Sequence, residues 1–539
     1  MNSRRVGETS TAAEWLEKYA EAARRADGST VSTNLLEVQA RRATEITDRL
    51  AAGEALVLPD PVGTGKTAVA LIAAAMLFEA KMVRRIVIIT PNEAVRKLWE
   101  TRATWARSPR TGRPPAKSTF NILTRKQLSS QRRPSKPEGV LVIIDEAHRG
   151  LQHEGDFQQT LEEWASGCPV LLVTATPFQL SSQGLMTMLG IGRTGSDRDK
   201  AKVEAYGSAV ARLARELRQA SERSASDPSQ HPAVAAALAE ANRLSPDAMS
   251  VVHRRIMEPD SDLLRLRGKP PDLHSDLVKV ADEWLETYHV ARLIPEFLGV
   301  GKGDMFNRRL LSCSEAFWKG TAGRALRERA EKSKRIRALA DELEHRLGGG
   351  CEHPKVEATA DWVAQRIRKG RHVLVFCVFV ETQKALAEAI TNKLSRSGQA
   401  SVAWPTGAAL PRNVVAQFRS STVAPLALVV QDRFSESIDL DGGSPCLVHH
   451  DLPWTPARVT QRWGRVVRAS SKFSPVKTED IYVPVLDLAS DRRLFKTVRT
   501  RAAIGDLLLP REVLTDGIDA DAYALPDDIL DQLRPASSR

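Results

Sequence analysis

Cysteine is scarce in this chain: five among 539 residues, with no C-x-x-C pair. So few scattered thiols exclude a disulfide-stapled scaffold and suit a reducing, cytoplasmic setting. Cys351 and His353 are neighbours, but two residues are too few for a zinc site. Long hydrophobic runs are lacking too. The longest, around Ala68 to Phe78, falls well short of the ~20 residues that a membrane-spanning helix needs. Residues Met1 to Arg5 lead into no apolar core, so no secretory signal is expected. No membrane role is expected either.

Acid is missing from one place in particular. Between Arg84 and Lys136 stand fourteen Lys/Arg and only two acids, Glu93 and Glu100. That local surplus of +12 equals the net charge of the whole chain, so the other residues balance. A solvated face usually mixes both signs. A one-signed stretch of this size points to a phosphate-bearing partner, and so to nucleic acid. A milder basic cluster, Lys302 to Arg337, reads equally well as a solvated helix face.

What is present is a series of short apolar runs. Ala55 to Leu58, Ile86 to Ile89, Val140 to Ile144 and Val170 to Val173 come first. Val373 to Phe376, Leu426 to Val430, Cys446 to Val448 and Ile481 to Val483 follow after a long gap. Continuous runs separated by helical patterns read as buried strands of parallel α/β sheets. Each early run is followed by a polar cluster, at Asp60 to Thr67, Thr90 to Asn92, Asp145 to His148 and Thr174 to Thr176. In open α/β sheets, ligands gather beyond the carboxyl ends of the strands, so these clusters should feed one site.

The first cluster, Asp60-Pro61-Val62-Gly63-Thr64-Gly65-Lys66-Thr67, has the form of a phosphate-binding loop. Gly63 and Gly65 let backbone N–H groups close around phosphate oxygens, with Thr64 between them, and the following helix aims its positive end at the anion. Lys66 would neutralise the β and γ phosphates of ATP, and Thr67 would offer its hydroxyl to Mg²⁺. Asp60 stands where the general pattern asks for glycine. In Asp145-Glu146-Ala147-His148, the aspartate at a strand end can hold Mg²⁺, and the glutamate beside it can orient and deprotonate the attacking water.

With these motifs the chain resembles superfamily 2 helicases of the DEAD/DEAH-box kind, from roughly Leu35 to Leu509. The resemblance implies two tandem RecA-like lobes, each an α/β parallel sheet, with a largely helical insertion between them. It implies that Gln39 recognises adenine and that Asp439, in a motif V-like Ser435 to Leu440, lies by the nucleotide. It assigns nucleic-acid contact to Thr90, Pro91, Arg96, Thr124, Arg125 and Lys126, and coupling of hydrolysis to movement to His148, Thr174 and Thr176. Gln461-Arg462-Trp463-Gly464-Arg465-Val466-Val467-Arg468 matches the specific Q-R-x-G-R-x-x-R pattern. By resemblance, Arg465 and Arg468 reach the γ-phosphate as arginine fingers, with Gln461 beside them. Thr176-Pro177-Phe178, Asp451-Leu452-Pro453-Trp454 and Arg493-Leu494-Phe495 look like bacterial Swi/Snf-related motors of the HepA/RapA type. That branch implies translocation on duplex DNA, with DNA favoured over RNA as the partner. Ser437 departs from the usual glycine.

The expected organisation is an N-terminal helical extension (1–33), an ATP-binding lobe (34–190), a helical accessory region (191–350), a second lobe (351–490) and a helical tail (491–539). Trp99, Trp105, Trp454 and Trp463 are expected to pack in cores or between lobes rather than to stack on bases, and His449-His450 to pack at a strand end. The expected activity is a nucleic-acid-dependent ATPase motor acting in genome maintenance or anti-phage defence, with room for protein partners in a multi-subunit system. The rival is a degenerate motor serving as a DNA clamp or adaptor. Intact Lys66, Asp145, Glu146, Arg465 and Arg468 weigh against it, while Ser437 and Asp60 keep it open.

Overall fold

The computed structural model describes residues 10–27, 31–60, 63–116, 118–128, 130, 136, 139–147, 156–175, 191, 197–223, 232–258, 260–267, 276–299, 304–347, 352–395, 401–406, 410–420, 424–435, 440, 445–453, 456–466, 480–492 and 494. Within them lie two five-stranded sheets, parallel throughout.

The first sheet is built from β1 (Ala55–Leu58), β2 (Arg85–Thr90), β3 (Phe120–Thr124), β4 (Val140–Asp145) and β5 (Val170–Val173), in the order β1-β5-β4-β2-β3. The apolar runs are continuous because helices cover both faces, leaving no side of a central strand in water. One face carries α1 (Ala12–Asp27), α2 (Thr33–Ala51), α3 (Lys66–Glu79) and α4 (Glu93–Ala103). Of these, α3 is apolar almost all round and runs through the middle of the layer. The short α5 (Arg125–Leu128) follows β3, and α6 (Asp156–Ala165) lies on the other face.

The helices between the sheets pack in two groups. The first, α7 (Asp197–Arg223), α8 (Pro232–Arg255) and α9 (Ser261–Arg267), packs on the first lobe. Tyr206, Val210, Val252 and Ile256 share a core with Val57, Val142 and Leu172. The Met257 N–H donates to the Val57 carbonyl at 3.0 Å, which covers the open edge of β1. The second, β6 (Asp276–Val278) with α10 (Asp282–Phe297), α11 (Asp304–Ser312), α12 (Ser314–Trp318), α13 (Thr321–Lys332) and α14 (Lys334–Leu347), packs on the second lobe. Arg308 of α11 donates to the Leu452 carbonyl at 2.8 Å, and the Ser312 hydroxyl to Asp451 at 3.0 Å.

The second sheet comprises β7 (Val373–Cys377), β8 (Ser401–Ala403), β9 (Leu426–Gln431), β10 (Cys446–His449) and β11 (Ile481–Tyr482), in the order β11-β10-β7-β9-β8. Around it lie α15 (Pro354–Arg368), α16 (Val380–Leu394), α17 (Arg412–Arg419) and α18 (Pro456–Trp463). β12 (Pro484–Leu486) pairs in parallel with β6, so the chain leaving the second sheet ties down the helices that precede it. Among the described residues, no helix is long and apolar enough to cross a membrane.

Candidate active site

The phosphate-binding loop leaves β1 and enters α3 through Gly65, whose φ of 87° only glycine adopts without strain. Space requires glycine as well. A Cβ there would lie 2.2 Å from the Gln39 amide nitrogen, which donates to the Thr64 carbonyl at 2.8 Å. Gln39, expected to read adenine, is thus buried with its nitrogen committed to the loop. No side chain caps the start of α3, so its positive end faces the loop. The Lys66 ammonium donates to the Asp60 carbonyl at 2.7 Å, and Thr67 follows on the first turn.

Asp60 has its own purpose. Its carboxylate is buried against the Arg42 guanidinium, at 2.9 and 3.3 Å, and Arg42 also donates to the Glu258 carbonyl at 2.6 Å. Burial works against the Arg42 charge, yet Asp60 and Glu45 hold its pKa above the usual value. The departure from the glycine pattern therefore locks α2, the loop and the end of α8 together. Replacing Arg42 with Met should strand a buried carboxylate and cost about 3–5 kcal/mol in urea unfolding of the first lobe. Arg42→Met with Asp60→Gly should regain most of that loss. A single-variant cost under about 1 kcal/mol would refute this account.

β4 ends at Asp145, which receives the Trp99 indole N–H on Oδ2 at 2.6 Å and the Glu146 backbone N–H on Oδ1 at 3.0 Å. Burial and the neighbouring Glu146 charge push its pKa up to about 6, against the pull of Trp99 and Lys66. A carboxylate held with so little compensating charge fits a cation. Among the described residues no group of three or more acids, histidines or cysteines is placed to hold a metal ion by itself. Mg²⁺ bound through nucleotide phosphates needs only one or two protein groups, and Asp145 and Thr67 would supply them.

Glu146 adopts φ 48°, a left-handed backbone that costs a non-glycine residue about 1–3 kcal/mol. Arg125 holds it there by donating to its carbonyl at 2.8 Å, with the guanidinium lying 5.5 Å from the Phe157 ring centre. From the second lobe, the Gln461 amide nitrogen on α18 reaches the Glu146 carboxylate at 3.3 Å. The Gln461 Oε1 atom is buried with no hydrogen-bond partner among the described residues. Arg465, one turn on, is buried and donates from Nε to the Gln461 carbonyl at 3.3 Å.

Two families match these lobes. Residues 32–179 match "Type III restriction enzyme, res subunit", and residues 354–470 match "Helicase conserved C-terminal domain". The chain carries the two ATPase domains of a superfamily 2 helicase. The first match spans the phosphate-binding loop and Asp145-Glu146, and the second spans Gln461 and Arg465. The helicase domain of Hef from Pyrococcus furiosus is similar in structure, at 14% identity and a TM-score of 0.42, covering 85% of this chain and 97% of that one. No curated protein matches by sequence.

The other residues singled out from the sequence take the following places. Thr90 is fully buried and its hydroxyl donates to the Leu123 carbonyl at 3.1 Å, which joins β2 to β3. Arg96 is held by both Glu93, at 2.6 Å, and Glu100 along α4. The two acids of the basic segment are both used on this one arginine. Pro91, Thr124 and Lys126 remain at the carboxyl edge of β2 and β3, with the Thr124 N–H and hydroxyl on Gln127. Thr174 is buried, its N–H on the Leu58 carbonyl at 3.1 Å, bridging the ends of β5 and β1. His148, Thr176, Asp439 and Arg468 lie outside the described residues. His449 and His450 pack at the strand end: burial depresses both, His450 to about 4, and His450 bonds Thr359 and the Ser312 carbonyl. Two contributors escaped the sequence reading, Arg42 and the indole of Trp99, because nothing in their spacing says which distant carboxylate they meet.

Proposed function

We propose that this chain is a DNA-stimulated ATP-driven translocase that closes its two lobes on ATP·Mg²⁺ at each cycle. The contact between Gln461 of one lobe and Glu146 of the other, at 3.3 Å, carries this reading. It sets the proposed base and the arginine-bearing helix at one point, so hydrolysis can respond to lobe closure. Lys66 and the loop N–H groups bind the phosphates, Asp145 and Thr67 would hold the metal, and Glu146 takes the proton of the attacking water. The orphaned Gln461 oxygen accepts the other proton of that water, which aligns it. Bound Mg²⁺ would neutralise charge on the β and γ phosphates. Arg465 closes over the developing γ-phosphate charge.

The basic segment supports nucleic acid as the track, and the restriction-enzyme name of the first matching family supports DNA. The Swi/Snf-like features favour duplex over single strands, in a setting of genome maintenance or anti-phage defence. Steady-state ATPase assays with duplex DNA, single-stranded DNA and RNA at equal nucleotide concentration should give the greatest stimulation with duplex. Equal stimulation by RNA would remove the DNA assignment. Absent hydrolysis under all three conditions would leave only a clamp or adaptor.

A further inference from the structure

Trp99 does more than fill the first lobe's core. Its ring is fully buried on α4, yet its N–H is directed at Asp145 Oδ2, 2.6 Å away. Packing alone does not impose such a bond in this chain. The indole nitrogens of Trp15, Trp284 and Trp318 are buried with no hydrogen-bond partner among the described residues. At Asp145 the other oxygen is held as well, by the Glu146 N–H at 3.0 Å. A carboxylate offers about four acceptor sites, so one bond on each oxygen fixes its plane and still leaves a lone pair on each for a cation.

We propose that Trp99 is a positioning residue: its indole N–H sets the orientation of the Asp145 carboxylate and so the affinity for the metal of a metal–nucleotide complex. The inference rests on the reading of Asp145 as a Mg²⁺ ligand. Partners behind a metal ligand commonly matter this way, and their loss costs about 10–100-fold in metal affinity or activity. The location adds a link to the track. α4 begins at Asn92, directly after Pro91 at the edge of β2, so one helix runs from the proposed DNA contact to the metal ligand.

The test measures ADP binding by calorimetry to the full chain, once with MgCl₂ and once with EDTA. Trp99→Phe keeps most of the packing and removes only the donor. It should lose about tenfold or more of the affinity seen with MgCl₂ while staying within about twofold of wild type in EDTA. Trp99→His, a poorer fit to the space but with a ring N–H, should retain more of the Mg²⁺-dependent gain than Trp99→Phe. Equal losses in both conditions would make Trp99 a packing residue and overturn the proposal, as would an unchanged Mg²⁺ arm. If wild type itself gains nothing from MgCl₂, the metal reading falls and takes the inference with it.

Discussion

Arg465→Ala should lower DNA-stimulated ATP turnover by about 10³–10⁵-fold, the range over which a cross-site arginine acts on phosphoryl transfer. Phosphoryl transfer leaves little covalent work for a protein, so most of the acceleration is charge stabilisation and positioning. Arg465 suits this role because its place is fixed before nucleotide arrives. It is buried at the end of α18, and its Nε donates to the carbonyl of Gln461, the residue that already touches Glu146. ADP affinity should change little, since the loop and Lys66 belong to the other lobe. Single-turnover hydrolysis beside an ADP titration separates the two effects. A loss below about tenfold, or a matching loss of ADP affinity, would show that Arg465 only supports the α18 turn.

The sequence made the central strands legible for a physical reason. β1, β2, β4, β5, β7, β9 and β10 are buried along nearly their whole lengths, so they read as unbroken apolar runs, and the first four are followed directly by polar clusters. The edge strands β3 and β8 did not announce themselves. Asn121 and Ser401 interrupt them, and half-exposed positions need no apolar side chain. β6 and β12 were hidden because each is three residues long and its partner lies some 200 positions away. The helices between the lobes show which face is apolar but not which sheet that face will meet. Only the cores show that Tyr206 and Val252 pack with the first sheet while Leu310 and Leu326 pack with Leu486 beyond the second. The same limit applies to the site: spacing identified Lys66, Asp145 and Glu146, while the bonds of Asp60 to Arg42 and Asp145 to Trp99 cross 18 and 46 positions. Motif position likewise does not show the local partners of Thr90 and Arg96, the Leu123 carbonyl and the acids of α4.

Glu146→Gln should reduce ATP turnover by about 10²–10⁴-fold, the contribution of a positioned general base, while ATP still binds. The backbone around Glu146 argues that its placement matters. Its φ of 48° is unfavourable and is maintained by three separate holds: the Arg125 guanidinium on its carbonyl, Asp145 on its N–H and Gln461 on its carboxylate. A structural acid would have no reason to be strained toward the opposite lobe. Glutamine keeps the size of the side chain and an oxygen for Gln461 to meet, so the fold and lobe contact should survive and only proton transfer should fail. The variant should therefore trap the ATP-bound, closed form, and DNA should dissociate from it more slowly in ATP than in ADP. Near-normal hydrolysis by Glu146→Gln would transfer the base to another group. Lost hydrolysis together with lost ATP binding would mean that Glu146 shapes the loop rather than activating water.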